Sequence, residues 1–183
     1  MPSHHELLNP SSWVTRWAGL IRPGGAVLDL ASGSGRHARY LAAHGYDVIA
    51  VDRDEAALAT LASSPGVRVR AADLEAAPWP FAPGEFDGVV VANYLHRPLF
   101  GDLLAALAPG GVLIYETFMQ GNERFGRPSN PAFLLRPGEL LDLLRDRLTV
   151  VAFEQGRVAA PKAAMVQRAC GVRAGVESVT LGE

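Results

Sequence analysis

The sequence predicts an α/β fold, a doubly wound and mostly parallel sheet with helices on both faces in three α/β/α layers. Three observations predict it. Short apolar runs alternate with helix-period segments from residue 26 to about 117. Each early run ends in an acidic or glycine-rich turn, where such sheets bind ligands. The length of 183 residues suits one domain, 1–183, with a core large enough to need no disulfide or metal staple.

Taken in order, residues 1–22 read as an N-terminal helical segment carrying His4, His5 and Trp13. The first strand is Ala26-Val27-Leu28-Asp29-Leu30, introduced by Pro23-Gly24-Gly25 and ended by Ala31-Ser32-Gly33-Ser34-Gly35. A helix follows over about 36–43, with Ala38, Leu41 and Ala42 inward and Gly45 just past its end. The second strand, 47–51, ends at Asp52. Asp54 caps a helix whose inward stripe is Ala57, Leu58, Leu61 and Ala62, stopped by Pro65-Gly66. The third strand is 67–71, with Asp73 just beyond. Pro78, Pro80, Pro83 and Gly84 forbid a regular helix in the next crossover. The fourth strand is 86–91, and its Val89-Val90-Val91 core suits burial on both faces. A helix over about 98–107 leads through Pro109-Gly110-Gly111 to a fifth strand, 112–117. Residues 118–137 hold Gly121, Gly126, Pro128, Pro131 and Pro137 and read as a substrate loop. A short helix, 138–147, precedes two strands, 148–155 and 163–172, with no helix between them, hence an antiparallel pair.

Composition excludes several functions. Seventeen basic residues against nineteen acidic ones give a net charge of −2, which argues against a strongly basic nucleic-acid binder. No apolar run approaches the roughly 18 residues of a membrane helix. The start MPSHHELLNPSSW lacks a basic then apolar leader. With the single cysteine, Cys170, these features lead us to expect a cytoplasmic protein without nucleic-acid or membrane partners, monomeric or homodimeric. No Cys/His cluster has zinc-ligand spacing, so no metal is expected. Cys170, in the last strand, reads as an inert core residue.

Gly33-Ser34-Gly35-Arg36-His37-Ala38 fits G-x-G-x-x-A, a turn in which glycine permits close approach of a ligand to the backbone. Asp52 stands 17 residues after Gly35, where a carboxylate can accept both ribose hydroxyls. Together they suggest an adenosine-containing cofactor. Asp29 separates the two candidate classes. A buried carboxylate would repel a dinucleotide pyrophosphate, whereas S-adenosylmethionine carries a cationic ammonium and sulfonium. Asp73 can hold the exocyclic amine of adenine and Leu74 can donate its backbone N–H.

These segments resemble the motifs of class I S-adenosylmethionine-dependent methyltransferases. Val27 to Gly35 resembles the glycine motif and Val48-Ile49-Ala50-Val51-Asp52 the acidic second strand. Ala72-Asp73-Leu74 resembles the adenine motif, Phe86 to Val91 the fourth strand, and Leu107 to Leu113 the turn into the fifth. The likeness runs in order from about residue 22 to 117, and in size it extends to the small bacterial enzymes of tellurite- and thiopurine-resistance type. It implies a Rossmann-like, seven-stranded sheet with the last strand antiparallel. It also implies that Asp29, Ala31, Gly33 and Gly35 line the methionine end of the cofactor. Asp52 would hold the ribose, with Arg53 near the adenine, Asp73 and Leu74 at its edge, and Asn93 facing the methionyl part.

The acceptor is less legible. Asn93-Tyr94-Leu95-His96-Arg97-Pro98 stands where base and glutamine N-methyltransferases carry Asn/Asp-Pro-Pro-Tyr, which argues against base methylation. His96 is the candidate base near neutral pH, or else a helix-start residue contacting backbone. Tyr94 and Arg97 are candidates for orienting a polar or anionic acceptor, with a plain surface charge as the alternative for Arg97. The loop 116–128 mixes aromatics, amides and arginines, which suits a lid over a small polar substrate; Glu116 reads as a buried strand-end acid. The expected function is methyl transfer from S-adenosylmethionine to a small-molecule acceptor, releasing S-adenosylhomocysteine. The alternatives are a cofactor-binding partner subunit without catalysis and an NAD-dependent oxidoreductase.

Overall fold

A computed structural model describes residues 9–175. His4 and His5 lie outside the described residues. Seven strands form one sheet in the order β3-β2-β1-β4-β5-β7-β6. They are β1 (Ala26–Leu30), β2 (Asp47–Asp52), β3 (Val67–Ala71), β4 (Phe86–Ala92), β5 (Leu107–Phe118), β6 (Leu148–Val158) and β7 (Ala164–Arg173). β1 to β5 pair in parallel, and β7 runs antiparallel to both its neighbours, β5 and β6. The anticipated fold is the one observed.

Strand alternation sorts the core into two apolar clusters, one on each face. Leu28, Leu30, Val89, Val91, Leu113 and Tyr115 face one side, against helices α4 (Phe100–Ala106) and α5 (Glu139–Leu144). Val27, Val90, Val112 and Ile114 face the other, with helices α1 (Ser12–Trp17), α2 (Arg36–Ala43) and α3 (Glu55–Ala59). Trp13 is buried in this second cluster and its indole N–H donates to the Ala169 carbonyl.

Several boundaries differ from the sequence reading, each for a local reason. α3 stops at Ala59, and Leu61 and Ser64 continue as tighter turns bonded to Leu58 and Leu61. The helix expected from Pro98 begins as a 3₁₀ turn, Arg97–Leu99, because proline sits in its first turn. β5 starts at Leu107, and the Pro109-Gly110-Gly111 turn is absorbed as a register shift between Phe86 and Gly88 of β4. The proline-rich crossover has no helix. Trp79, Phe81 and Phe86 stack edge to face there, with centroids 5.3 and 5.1 Å apart.

Candidate active site

The turn after β1 carries left-handed backbone at Ala31, Gly33 and Gly35 (φ 51°, 53° and 77°). Gly35 is fixed by packing, since a Cβ there would lie 2.3 Å from Leu61. Ala31 holds a conformation that costs an alanine about 1–2 kcal/mol, a strain of the kind found at ligand sites. The turn is pinned from β2: Gly33 N–H donates to Asp52 Oδ2 at 2.7 Å, and Asp54 N–H donates to Asp52 Oδ1 at 2.9 Å. Beneath it, Asp29 is 1% exposed and accepts the Ala38 N–H of α2 at 2.9 Å. Burial pushes its pKa up to about 7, against the opposing pull of that hydrogen bond and of Arg36.

Beside a wide, shallow depression over the ends of β2 and β3, two cavities open at the carboxyl ends of the strands. The smaller, about 210 Å³, is lined by Ala31, Asp52, Arg53, Ala72, Asp73, Leu74, Glu75 and Tyr94. Ala31, Asp52, Arg53, Asp73 and Leu74, dispersed over 44 positions from 31 to 74, therefore meet in one place. Three features fit an adenosine-bearing cofactor. Asp52 has lone pairs left for ribose hydroxyls after its two backbone bonds. A Cβ at Gly33 would meet nothing within 4 Å, so there is space over the turn. Ser32 Oγ is buried without a hydrogen-bond partner among the described residues.

The larger cavity, about 430 Å³, lies on the α1/α2 side. Its walls include Asn93 after β4, Glu116 and Phe118 of β5, and Asn122, Phe125 and Arg127 of the following loop. Arg36, Lys162, Arg168 and the 9–12 segment complete it. The 9–12 segment is anchored at Ser11, whose N–H donates to His37 Nε2 at 3.2 Å. His37 is neutral there, its pKa lowered to about 3 by burial and then by Arg36. Asn93 has φ 57° and donates its N–H to the Glu116 carbonyl at 2.9 Å. Arg168 stands opposite Glu116 across the β5–β7 ladder, its Nε 2.9 Å from Oε2 but out of hydrogen-bond alignment.

Other expected residues are placed elsewhere. Asp29, Gly33 and Gly35 shape the turn from below and line neither cavity. Tyr94 lines the smaller cavity, its phenol pushed up from the ordinary range by burial and by Glu75. His96 lines neither, and its Nδ1 is 3.9 Å from Glu75 Oε2. Arg97 corrects the expectation most clearly. Its Nε and Nη2 donate to Glu139 at 2.6 and 3.0 Å, and its Nη groups donate to the Ala132 and Leu134 carbonyls at 2.8 and 2.9 Å. It therefore braces the 132–139 segment on the α4/α5 side instead of reaching an acceptor. Trp13 of the N-terminal segment is core. Cys170 is buried, its thiol pushed up to about 12 by desolvation, as an inert residue should be.

The 116–128 loop, singled out by the sequence, contributes to the larger cavity, whereas Arg36, Lys162 and Arg168 line it without having been singled out. Arg36 had a signal, as the residue directly after Gly35. Among the described residues no group of acids, histidines and cysteine could hold a metal, and no helix is long and apolar enough to cross a membrane.

Residues 27–111 match the family model described as a methyltransferase domain. No curated protein matches the chain. Among solved structures, TehB from Haemophilus influenzae superposes with TM-score 0.76 at 20% identity, over 90% of this chain and 62% of that one. The chain thus spans less than two thirds of the TehB length. A S-adenosylmethionine-dependent methyltransferase from Methanosarcina mazei gives TM-score 0.70 at 17% identity, over 91% and 99% of the two chains. The 1,6-didemethyltoxoflavin-N1-methyltransferase of Burkholderia thailandensis, solved with its substrate and S-adenosylhomocysteine, gives 0.64 at 25% identity, over 92% and 79%. Residues 27–111, just under half of the chain, thus match a methyltransferase domain, and the fold is that of the S-adenosylmethionine-dependent methyltransferases on which the chain superposes.

Proposed function

We propose that the protein transfers the methyl group of S-adenosylmethionine to a small-molecule acceptor seated in the larger cavity. The observation that carries this reading is the division of labour at the end of β4. Asn93 lines the larger cavity and Tyr94, the next residue, lines the smaller. An adenosine in the smaller cavity and an acceptor in the larger would meet at this step in the chain. The relative from Burkholderia thailandensis holds a small heterocycle beside S-adenosylhomocysteine, which supports the same arrangement.

Bound S-adenosylmethionine would supply an electrophilic methyl carbon to the acceptor's lone pair, with the thioether S-adenosylhomocysteine as the leaving group. In-line geometry and exclusion of water dominate such a reaction. Asp52 holds the ribose, Asp73 and Leu74 the adenine edge, and Arg53 and Tyr94 the remaining wall. Asn93 fixes the methionyl part, with its backbone held by Glu116. His96 lies behind that wall, its Nδ1 3.9 Å from Oε2 of Glu75, which lines it. The test is incubation with S-adenosylmethionine labelled in the methyl group and a mixture of small phenols, amines, thiols and acids. Label recovered in a small-molecule fraction supports the reading; label recovered only in co-purifying macromolecules refutes it.

A further inference from the structure

The charge lining the larger cavity is lopsided. Arg36, Arg127, Lys162 and Arg168 face Glu116 as the sole carboxylate among its lining residues. Glu116 is already paired with Arg168 at 2.9 Å. Arg36 begins α2 directly after the glycine turn, on the cofactor side, and donates to the Asn9 carbonyl at 3.3 Å. That leaves Arg127 and Lys162, from the loops after β5 and β6. No carboxylate among the described residues lies within 4 Å of either. The chain carries a net charge of −2, and Lys162 is its only lysine. Two uncompensated cations at one cavity are therefore a local feature and not a general basicity.

The loop after β5 is tied to the start of β7, just past Lys162. Asn122 Oδ1 accepts the Met165 N–H at 3.1 Å, and Asn122 Nδ2 donates to the Pro128 carbonyl at 3.0 Å. A Cβ placed on Gly126 would lie 3.2 Å from Lys162 Nζ, so the ammonium rests against the loop beside Arg127. The same cavity also has an apolar lining: Phe118, Phe125, Val158 and Val166. A bound S-adenosylmethionine is itself net positive and would raise the repulsion further. A small amphipathic anion satisfies both halves of the cavity.

Resting on the proposed function, we infer that the methyl acceptor is a small organic anion, whose carboxylate or phosphate is held by Arg127 and Lys162 and whose apolar body packs on Phe118 and Phe125. A guanidinium and an ammonium offer a fork and a point charge to one anionic group.

The test is calorimetric titration of the full chain, loaded with S-adenosylhomocysteine, with matched probes. 4-Hydroxyphenylacetate and indole-3-acetate are each compared with their amides, and phenyl phosphate with benzyl alcohol. The inference expects one acid or phosphate to bind at least tenfold tighter than its neutral partner. That preference disappears in Arg127→Gln/Lys162→Gln, while S-adenosylhomocysteine affinity stays within twofold. Which arm responds separates carboxylate from phosphate. Because Lys162 is the only lysine, a responding anion should also slow its acylation by an amine reagent. Binding without charge preference, a preference that survives the double substitution, or no anion binding overturns the inference and leaves the cofactor reading standing. Failure of S-adenosylhomocysteine itself to bind removes both.

Discussion

Asn93 and Tyr94 are consecutive in the chain and line different cavities, Asn93 the larger and Tyr94 the smaller. Asn93 achieves this by a left-handed backbone, φ 57°, secured by its N–H on the Glu116 carbonyl at 2.9 Å. An asparagine tolerates that conformation better than most residues. The end of β4 thus separates the two cavities.

Asp52 should matter chiefly for cofactor affinity. Asp52→Ala removes a charged acceptor for ribose and frees the Gly33 N–H it holds at 2.7 Å. Losing such hydrogen bonds costs about 1–3 kcal/mol, so S-adenosylhomocysteine should bind roughly tenfold to a hundredfold more weakly. Calorimetry on a variant shown folded by circular dichroism checks this; unchanged affinity would remove Asp52 from the ribose.

His96 and Asn93 should behave differently. His96 lines neither cavity, so His96→Ala should leave the rate at saturating cofactor within about twofold while raising the cofactor KM. Asn93→Ala should lower kcat by about tenfold or more, because misplacing the reacting groups is costly. A large fall in kcat for His96→Ala, with an inverted pH profile, would restore it as the base.

Arg97 is a structural residue in this account. Arg97→Ala would strand the buried Glu139 carboxylate. Breaking a fully buried pair costs 3–5 kcal/mol, but Arg97 is 36% exposed and Arg136 N–H also serves Glu139 at 2.8 Å, so about 2–3 kcal/mol is expected. Burial alone would raise the pKa of Glu139, but Arg97 and the Arg136 N–H outweigh it and hold the carboxyl below its ordinary value. The stabilisation is therefore present above the ordinary glutamate pKa and lost as pH falls below it. Urea unfolding of wild type, Arg97→Ala, Glu139→Gln and the double variant gives the coupling; a coupling near zero would contradict it.

Asp29 has the opposite sign. Its folded pKa is raised, to about 7, from an ordinary 3.8. Its contribution is fully present below pH 3.8 and lost as pH rises through 7, when a buried carboxylate must ionise. The ligand-free protein should lose stability between about pH 4 and 7, on the order of a few kcal/mol. Asp29→Asn should flatten that slope, since asparagine keeps an acceptor for the Ala38 N–H. S-adenosylmethionine, whose ammonium favours the carboxylate, should bind wild type with proton release near neutral pH. Parallel stability profiles for wild type and variant would contradict this assignment.

The parallel part of the sheet and the lining of the smaller cavity were legible because local signals coincide there. Strand, turn and acid recur in order from Leu28 to Leu74, and a parallel sheet brings successive strand ends to one edge. The loop after β5 was legible as cavity lining from position alone. Arg168 and Lys162 were not legible, because β7 inserts between β5 and β6. The pairing of Arg168 with Glu116 across that ladder is a tertiary fact with no local signature. Arg97 was misread for a related reason: its place after β4 was right, but Glu139, 42 residues later, claims its side chain.

The central claim, that one cleft holds S-adenosylmethionine beside an acceptor cavity, is tested most directly by calorimetric titration of the purified protein, after any co-purified ligand is removed, with S-adenosylmethionine, S-adenosylhomocysteine and, as control, NAD. Both sulfur compounds should bind in the micromolar range at one site per chain, more weakly in Asp52→Ala, and NAD should give no heat. A folded, ligand-free protein that binds neither sulfur compound, or that binds NAD instead, would contradict it.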